Sequence, residues 1–380
     1  MVSRVYLIPG FFGFAHFGDL KYFHHVEELL THELAGLGRR FQVLRVDTLA
    51  AGTLSRRTDR LRELLVETAG GDHDPIHLVG HSTGALDARR LLDPERVRDV
   101  DDDVVKRIRS VVSIAGAHRG TPLATAFRGA FGKDLLRMLG ALTVQSLRLG
   151  PISVGTALGV AGALAMVDRL VGSHKMDLID QIEQHVLQDF SDERRATLEA
   201  FFSELAVDQG LLDELSPEQA RHFDAQTLDR PGVAYGCVVT AAPPPTVHTA
   251  LGLGLSPYAQ GSHALFHTLW TLTSRFVAET GLPVAAVDAH QLLLGQLGRI
   301  PTEEDNDGIV PTLSQFHGSL IRAVTADHHD VIGHFDDARH DPPHVDWLIS
   351  RSAFRRPQFD QLWRDVARFI VKADGGDPIA

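Results

Sequence analysis

Residues 75–92 read PIHLVGHSTGALDARRLL, an apolar run that passes into a Gly-x-Ser-x-Gly pentapeptide and then into an amphipathic segment. PIHLVG (Pro75–Gly80) predicts a strand, and ALDARRLL (Ala85–Leu92) predicts a helix. A chain that turns from strand to helix around a serine has little room at the turn. Gly80 and Gly84 permit the close backbone approach that a strained serine elbow requires. Alone, the pentapeptide is a weak signal that a plain turn serine also satisfies. The strand before it and the helix after it make Ser82 a candidate nucleophile.

The same alternation extends through the first third of the chain. RVYLIP (Arg4–Pro9), Arg40–Leu49, Pro75–Gly80 and Arg107–Gly116 read as strands, the last carrying Val111, Val112 and Ile114. Lys21–Gly38, Thr58–Thr68 and Ala85–Leu92 read as the helices between them. Strand character returns at Val233–Ala242 and Leu320–Asp327, and Phe359–Ala373 is an amphipathic C-terminal helix. Strands alternating with helices predict an α/β protein with a mostly parallel central sheet and helices on both faces. We therefore expect one core built from 1–127 and 231–380, with a second insertion at 246–300. Residues 128–230 are expected to form a large helical cap or lid.

Two stretches lack formal charge. Leu149–Val167 contains none, and Ala250–Ser274 offers only histidines. The first has the length of a membrane span. Pro151, four glycines and the absence of a flanking basic cluster argue instead for a buried helix of the insertion. Its functional reading is a lid whose apolar surface meets acyl chains at an oil or membrane interface. The formal net charge of −12, without a Lys/Arg run, argues against a nucleic-acid partner. A single cysteine, Cys237, excludes an intramolecular disulfide and fits a reducing compartment. With no secretory signal visible, the expected location is cytoplasmic.

A serine that transfers acyl groups needs an anion hole, an acid and a base. The N–H of Thr83, directly after the serine, is one expected anion-hole donor, and the N–H of Phe11 in IPGFFGF (Ile8–Phe14) is the other. In chain order the acid follows the nucleophile and the base comes last. EEDNDGIVP (Glu303–Pro311) offers Asp307, held by the turn at Gly308, with Asp305 as the alternative. ADHHDVIGHF (Ala326–Phe335) offers His328, nearest the end of the last strand, with His329 and His334 as alternatives.

These stretches resemble the α/β-hydrolase superfamily, and within it the bacterial true-lipase family. The likeness rests on GHSTGALDAR, on VVSIAGAHRGTPLA (Val111–Ala124), on GLLDELSPEQARHFD (Gly210–Asp224) before VAYGC, and on NDGIVP and DHHD. It implies an α/β-hydrolase fold and a serine carboxylic-ester hydrolase (esterase or lipase) acting on acyl esters. It also implies Ser82 as nucleophile, Asp307 as acid, His328 as base, and Phe11 and Thr83 at the anion hole. An acyltransferase or thioesterase would use the same triad, and a non-enzymatic lipid-binding protein could keep the fold alone. The sequence sets no oligomeric state.

The chain departs from the family pattern at Pro9-Gly10, where a His-Gly pair is usual, and at Ala117, where proline is usual. Its first insertion does not match the family lid closely. No cofactor is required for the chemistry. The family's structural calcium would fall to Asp330, just after the base, and Asp288 upstream, since oxygen donors suit that ion. The competing expectation for Asp330 is a helix cap.

Overall fold

The computed structural model describes residues 2–11, 16–17, 20–38, 40–69, 71, 73–95, 103–127, 210–246, 257–275, 287, 289–337, 346 and 348–375. The cap expected at 128–230 lies outside the described residues up to position 209, as do Leu149–Val167 and Asp288. The chain opens with β1 (Ser3–Ile8), a two-residue antiparallel pair β2 (His16–Phe17) and β3 (Leu20–Lys21), and α1 (Val26–Gly36). Next come β4 (Phe41–Arg45), α2 (Leu54–Ala69), β5 (Ile76–His81) and α3 (Gly84–Leu92). They are followed by α4 (Asp103–Lys106), β6 (Ile108–Ile114) and α5 (Pro122–Ala126). The second half contains α6 (Gly210–Glu214), α7 (Pro217–Gln226), β7 (Ala234–Thr240) and α8 (Pro257–Thr273). It closes with α9 (His290–Leu297), β8 (Ser319–Val324) and α10 (Arg356–Ala373).

Six strands form one sheet in the order β4-β1-β5-β6-β7-β8, and every neighbouring pair is parallel. Parallel strands covered on both faces read as unbroken apolar runs, and all six residues of β5 are buried. On one face Leu29, Leu30 and Leu34 of α1 join Leu362, Trp363 and Val366 of α10 in a single cluster. On the other, Leu61 and Leu65 of α2 pack with Ala88 and Leu91 of α3 against Tyr6, Ile8 and Leu78. No helix among the described residues is long and apolar enough to cross a membrane.

Most boundaries fall within a few residues of the expectation. The helix expected from Lys21 instead begins at Val26, because Lys21 pairs with His16 and His25 takes a left-handed φ of 61°. The sheet order also creates the crevice that positions the site. From β1 the chain moves outward to β4, whereas from β5 it moves the opposite way to β6. Adjacent parallel strands whose connections diverge leave a cleft beyond their carboxyl ends. The loops after β1 and β5, with Gly10 and Ser82, meet at that point, where a Cβ on Gly10 would lie 2.6 Å from Ser82 Cβ.

Candidate active site

Ser82 sits between β5 and α3 with φ of 54°, a left-handed conformation rarely adopted by residues other than glycine. Its neighbours explain how the turn closes. A Cβ on Gly80 would lie 2.4 Å from backbone atoms of Gly84 and Ala85, and one on Gly84 would lie 2.4 Å from the Ile8 carbonyl oxygen. The Ser82 N–H donates to the Ile114 carbonyl at 2.9 Å, which ties the elbow to β6.

Asp307 is fully buried, yet its carboxylate is well supplied with donors. Oδ1 accepts from the N–H groups of Ile309 (3.0 Å) and Val310 (2.7 Å). Oδ2 accepts from Thr240 Oγ1 (2.7 Å), Gln315 Nε2 (3.2 Å) and His328 Nδ1 (2.8 Å). Gly308, with φ of 93°, closes the turn that presents these two N–H groups. The His328 N–H also donates to the Asp307 carbonyl at 3.1 Å, so the pair is joined twice. A carboxylate only accepts, which puts a proton on His328 Nδ1 and, in the neutral ring, makes Nε2 the acceptor.

The alternative acids and bases stand elsewhere. Asp305 takes the guanidinium of Arg299 and the N–H of Thr302. His334 donates through Nε2 to the Tyr22 carbonyl at 2.9 Å, and burial pushes its pKa down to about 4. His329 lies beside His328, with ring centroids 5.4 Å apart, and burial holds it well below its ordinary value.

Ser82, Thr83, Phe11, His328 and His329 share one cleft of about 740 Å³. Its remaining wall is mostly apolar and includes Leu123 and Phe127 from the α5 region. Leu212 and Leu215 around α6 and Leu269 on α8 also line it.

Four residues around this cleft escaped the sequence reading. Arg57 and Asp87 form a fully buried ion pair (Nη2–Oδ2 2.6 Å), and Arg57 also donates to the Leu49 carbonyl and to the Pro9 carbonyl at 2.9 Å. The first loop, lacking the usual histidine, is thereby held from α2. A signal was present: Arg57 is a cation on the stripe of α2 that buries Leu54, Leu61 and Leu65. Tyr22 accepts the Gly10 N–H at 2.9 Å, and its hydroxyl lies 2.7 Å from His81 Nδ1. Only the position of His81 inside the pentapeptide hinted at this contact.

Beyond His328, Asp327, Asp330 and Asp346 are buried, with ligand oxygens all within 4.8 Å of one another. Burial, and then the neighbouring carboxylates, push Asp327 and Asp346 well above the ordinary range. Burial raises Asp330 to about 6. Asp330 was anticipated, whereas Asp327 and Asp346 were not. Asp327 and Asp330 cap the turn reciprocally: Asp327 Oδ1 accepts from the N–H groups of His329 and Asp330, and Asp330 Oδ2 accepts from the Asp327 N–H at 3.0 Å. An all-oxygen set of buried, mutually repelling carboxylates fits a hard divalent cation.

A triacylglycerol lipase of Vibrio cholerae is 28% identical to this chain over 179 residues. That match covers 46% of this chain, and the chain spans about half (47%) of the length of that curated relative. Lipase 1 from Pelosinus fermentans aligns in structure over 97% of this chain and 98% of its own, at 17% identity and a TM-score of 0.50. A Staphylococcus hyicus lipase aligns over 98% of this chain and 96% of its own, at 16% identity and a TM-score of 0.49. No family model matches the chain. The six-stranded parallel sheet with its serine elbow is an α/β-hydrolase fold. Within that fold, the chain is similar in sequence to a bacterial triacylglycerol lipase and in structure to a bacterial lipase.

Proposed function

We propose that this protein is a serine carboxylic-ester hydrolase that acts on acyl esters through an acyl-enzyme intermediate. The observation that carries this reading is the shared cleft. A strained serine opens into it beside a histidine bonded to a buried carboxylate, against an apolar wall. His328 Nε2 takes the Ser82 hydroxyl proton as Oγ attacks the ester carbonyl. Asp307 fixes the tautomer and stabilises the imidazolium. The N–H groups of Phe11 and Thr83 hold the oxyanion, assisted by the N-terminus of α3. His328 then returns the proton to the leaving alkoxide, and the alcohol departs. Water repeats the sequence on the acyl-enzyme and releases the carboxylic acid. The apolar wall accepts the acyl chain, and both insertions reach the site through Leu212, Leu215 and Leu269.

We further propose that calcium sits among Asp327, Asp330 and Asp346. Bound there, it would neutralise the three carboxylates and brace the loop carrying His328; it takes no part in the chemistry. Ser82→Ala should lower kcat on p-nitrophenyl butyrate by at least about 10³-fold, with the fold retained. Turnover at the wild-type rate by purified Ser82→Ala protein would refute the reading.

A further inference from the structure

Three polar contacts run in series from the first loop to the base loop. The Gly10 N–H lies 2.9 Å from Tyr22 Oη, Tyr22 Oη lies 2.7 Å from His81 Nδ1, and His81 Nε2 lies 2.9 Å from the His328 carbonyl oxygen. Hydrogen-bonding chemistry gives the series one direction. A carbonyl only accepts, so His81 Nε2 carries the proton. A neutral imidazole then accepts at Nδ1, and the Tyr22 hydroxyl must donate to it. The tyrosine oxygen is thereby left to accept from Gly10. Complete burial keeps the His81 ring neutral.

We propose that Tyr22 and His81 are positioning residues, a directed hydrogen-bond chain that locks the anion-hole loop at Gly10 to the base loop at His328. The proposal rests on the ester-hydrolase reading of the same cleft. Further contacts hold both ends of the chain in place. The Tyr22 carbonyl accepts from His334, and the His24 N–H donates to the Ile332 carbonyl at 2.8 Å, so the tyrosine is seated on the base-loop side. A Cβ on Gly10 would lie 2.8 Å from Tyr22 Oη and 2.6 Å from Ser82 Cβ, so Gly10 is packed directly against both the tyrosine hydroxyl and the serine. The His81 and His328 rings lie 4.5 Å apart, so the backbone that His81 grips belongs to the group receiving the serine proton. The chain therefore fixes the oxyanion donors relative to the base, a distance that matters in the transition state and hardly at all for substrate binding.

The test compares Tyr22→Phe, His81→Gln and the double variant with wild type and Ser82→Ala. The measurements are p-nitrophenyl butyrate kinetics, inhibition by a phenylboronic acid that mimics the tetrahedral state, and Tm. Tyr22→Phe keeps the ring contacts and removes the hydroxyl. His81→Gln keeps a donor for the His328 carbonyl and takes the acceptor off the Nδ1 position, because the amide oxygen of glutamine branches one atom further along the side chain. Each single variant should lower kcat on the order of 10- to 100-fold with KM within about twofold. Boronate affinity should fall by a similar factor. The double variant should be no worse than the worse single one, because both break the same chain. Folded single variants that keep kcat and boronate affinity within about twofold of wild type would overturn the proposal, as would a double variant whose losses multiply. Should Tyr22→Phe fail to fold, His81→Gln carries the same comparison. An active Ser82→Ala protein would instead remove the hydrolase reading beneath it, whereas an inactive one beside wild-type-like Tyr22→Phe and His81→Gln rejects the positioning chain alone.

Discussion

Ser82 holds a backbone conformation that costs a residue with a side chain about 1–3 kcal/mol. The surroundings leave it no other place. Gly80 and Gly84 bring β1, β5 and α3 too close together for a Cβ at either position, and Ile114 takes the serine N–H. Such strain is retained where it aims a side chain, and here the serine opens into a cleft. Asp307 is the second costly residue, a carboxylate with no solvent contact. Five donors surround it; three of the donor residues, Ile309, Val310 and His328, also line the cleft, and of these only His328 carries a side chain that can accept a proton. Asp307→Asn should therefore act chiefly on the chemical step. Steady-state kinetics should show kcat lower on the order of 10⁴-fold, with the change in KM small beside it.

At the scale of elements, the sheet was legible because burial on both faces writes itself into a strand as an apolar run. The apolar pairs Leu78 and Val79 in β5 and Val111 and Val112 in β6 carry that signal most clearly, interrupted by polar residues such as His77 and the exposed Arg109. The serine elbow was legible for the same local reason, since two glycines mark where strand and helix nearly touch. Asp307 and His328 were legible by chain order and by their distance from strand ends. What could not be read locally depends on distant contacts. Tyr22 stands between β3 and α1, and its role comes from His81, 59 positions away. Asp346 joins Asp327 and Asp330 only once the chain has folded back on itself. The start of α1 was misplaced because Lys21 is claimed by a two-residue hairpin.

Helix α8 lies in the stretch read from the sequence as a second insertion, and its buried Leu269 borders the cleft. If the apolar wall holds the acyl chain, Leu269→Trp should shorten the chain it accepts. Relative to wild type, kcat/KM for p-nitrophenyl octanoate should fall at least about tenfold while that for the acetate stays within about threefold.

At the scale of the whole molecule, the acidic trio stands beside the serine cleft rather than within it. Asp327 and Asp330 flank His328 and His329, so the charge balance of the trio bears on the loop that carries His328. Without a cation, burial holds Asp330 protonated up to about pH 6, above the unfolded carboxyl value of about 3.9. The native state then binds more protons than the unfolded chain between those two values. The stability contributed by Asp330 is therefore present at low pH and lost as pH rises through about 6. A cation reverses this, because it binds the ionised carboxylates and must displace their protons. The Tm difference between calcium-loaded and chelator-treated protein should be small at pH 5 and several degrees at pH 7.5. An equal Tm with and without calcium at pH 7.5 would remove the ion from the account.

The central claim is that Ser82 attacks an acyl carbonyl, and covalent trapping tests it most directly. Wild-type protein incubated with a fluorophosphonate should gain the mass of one phosphonyl group, lodged on the peptide containing Ser82, with loss of esterase activity in step. Ser82→Ala protein should gain none. Absence of labelling in active wild-type protein, or labelling that persists in Ser82→Ala, would contradict it.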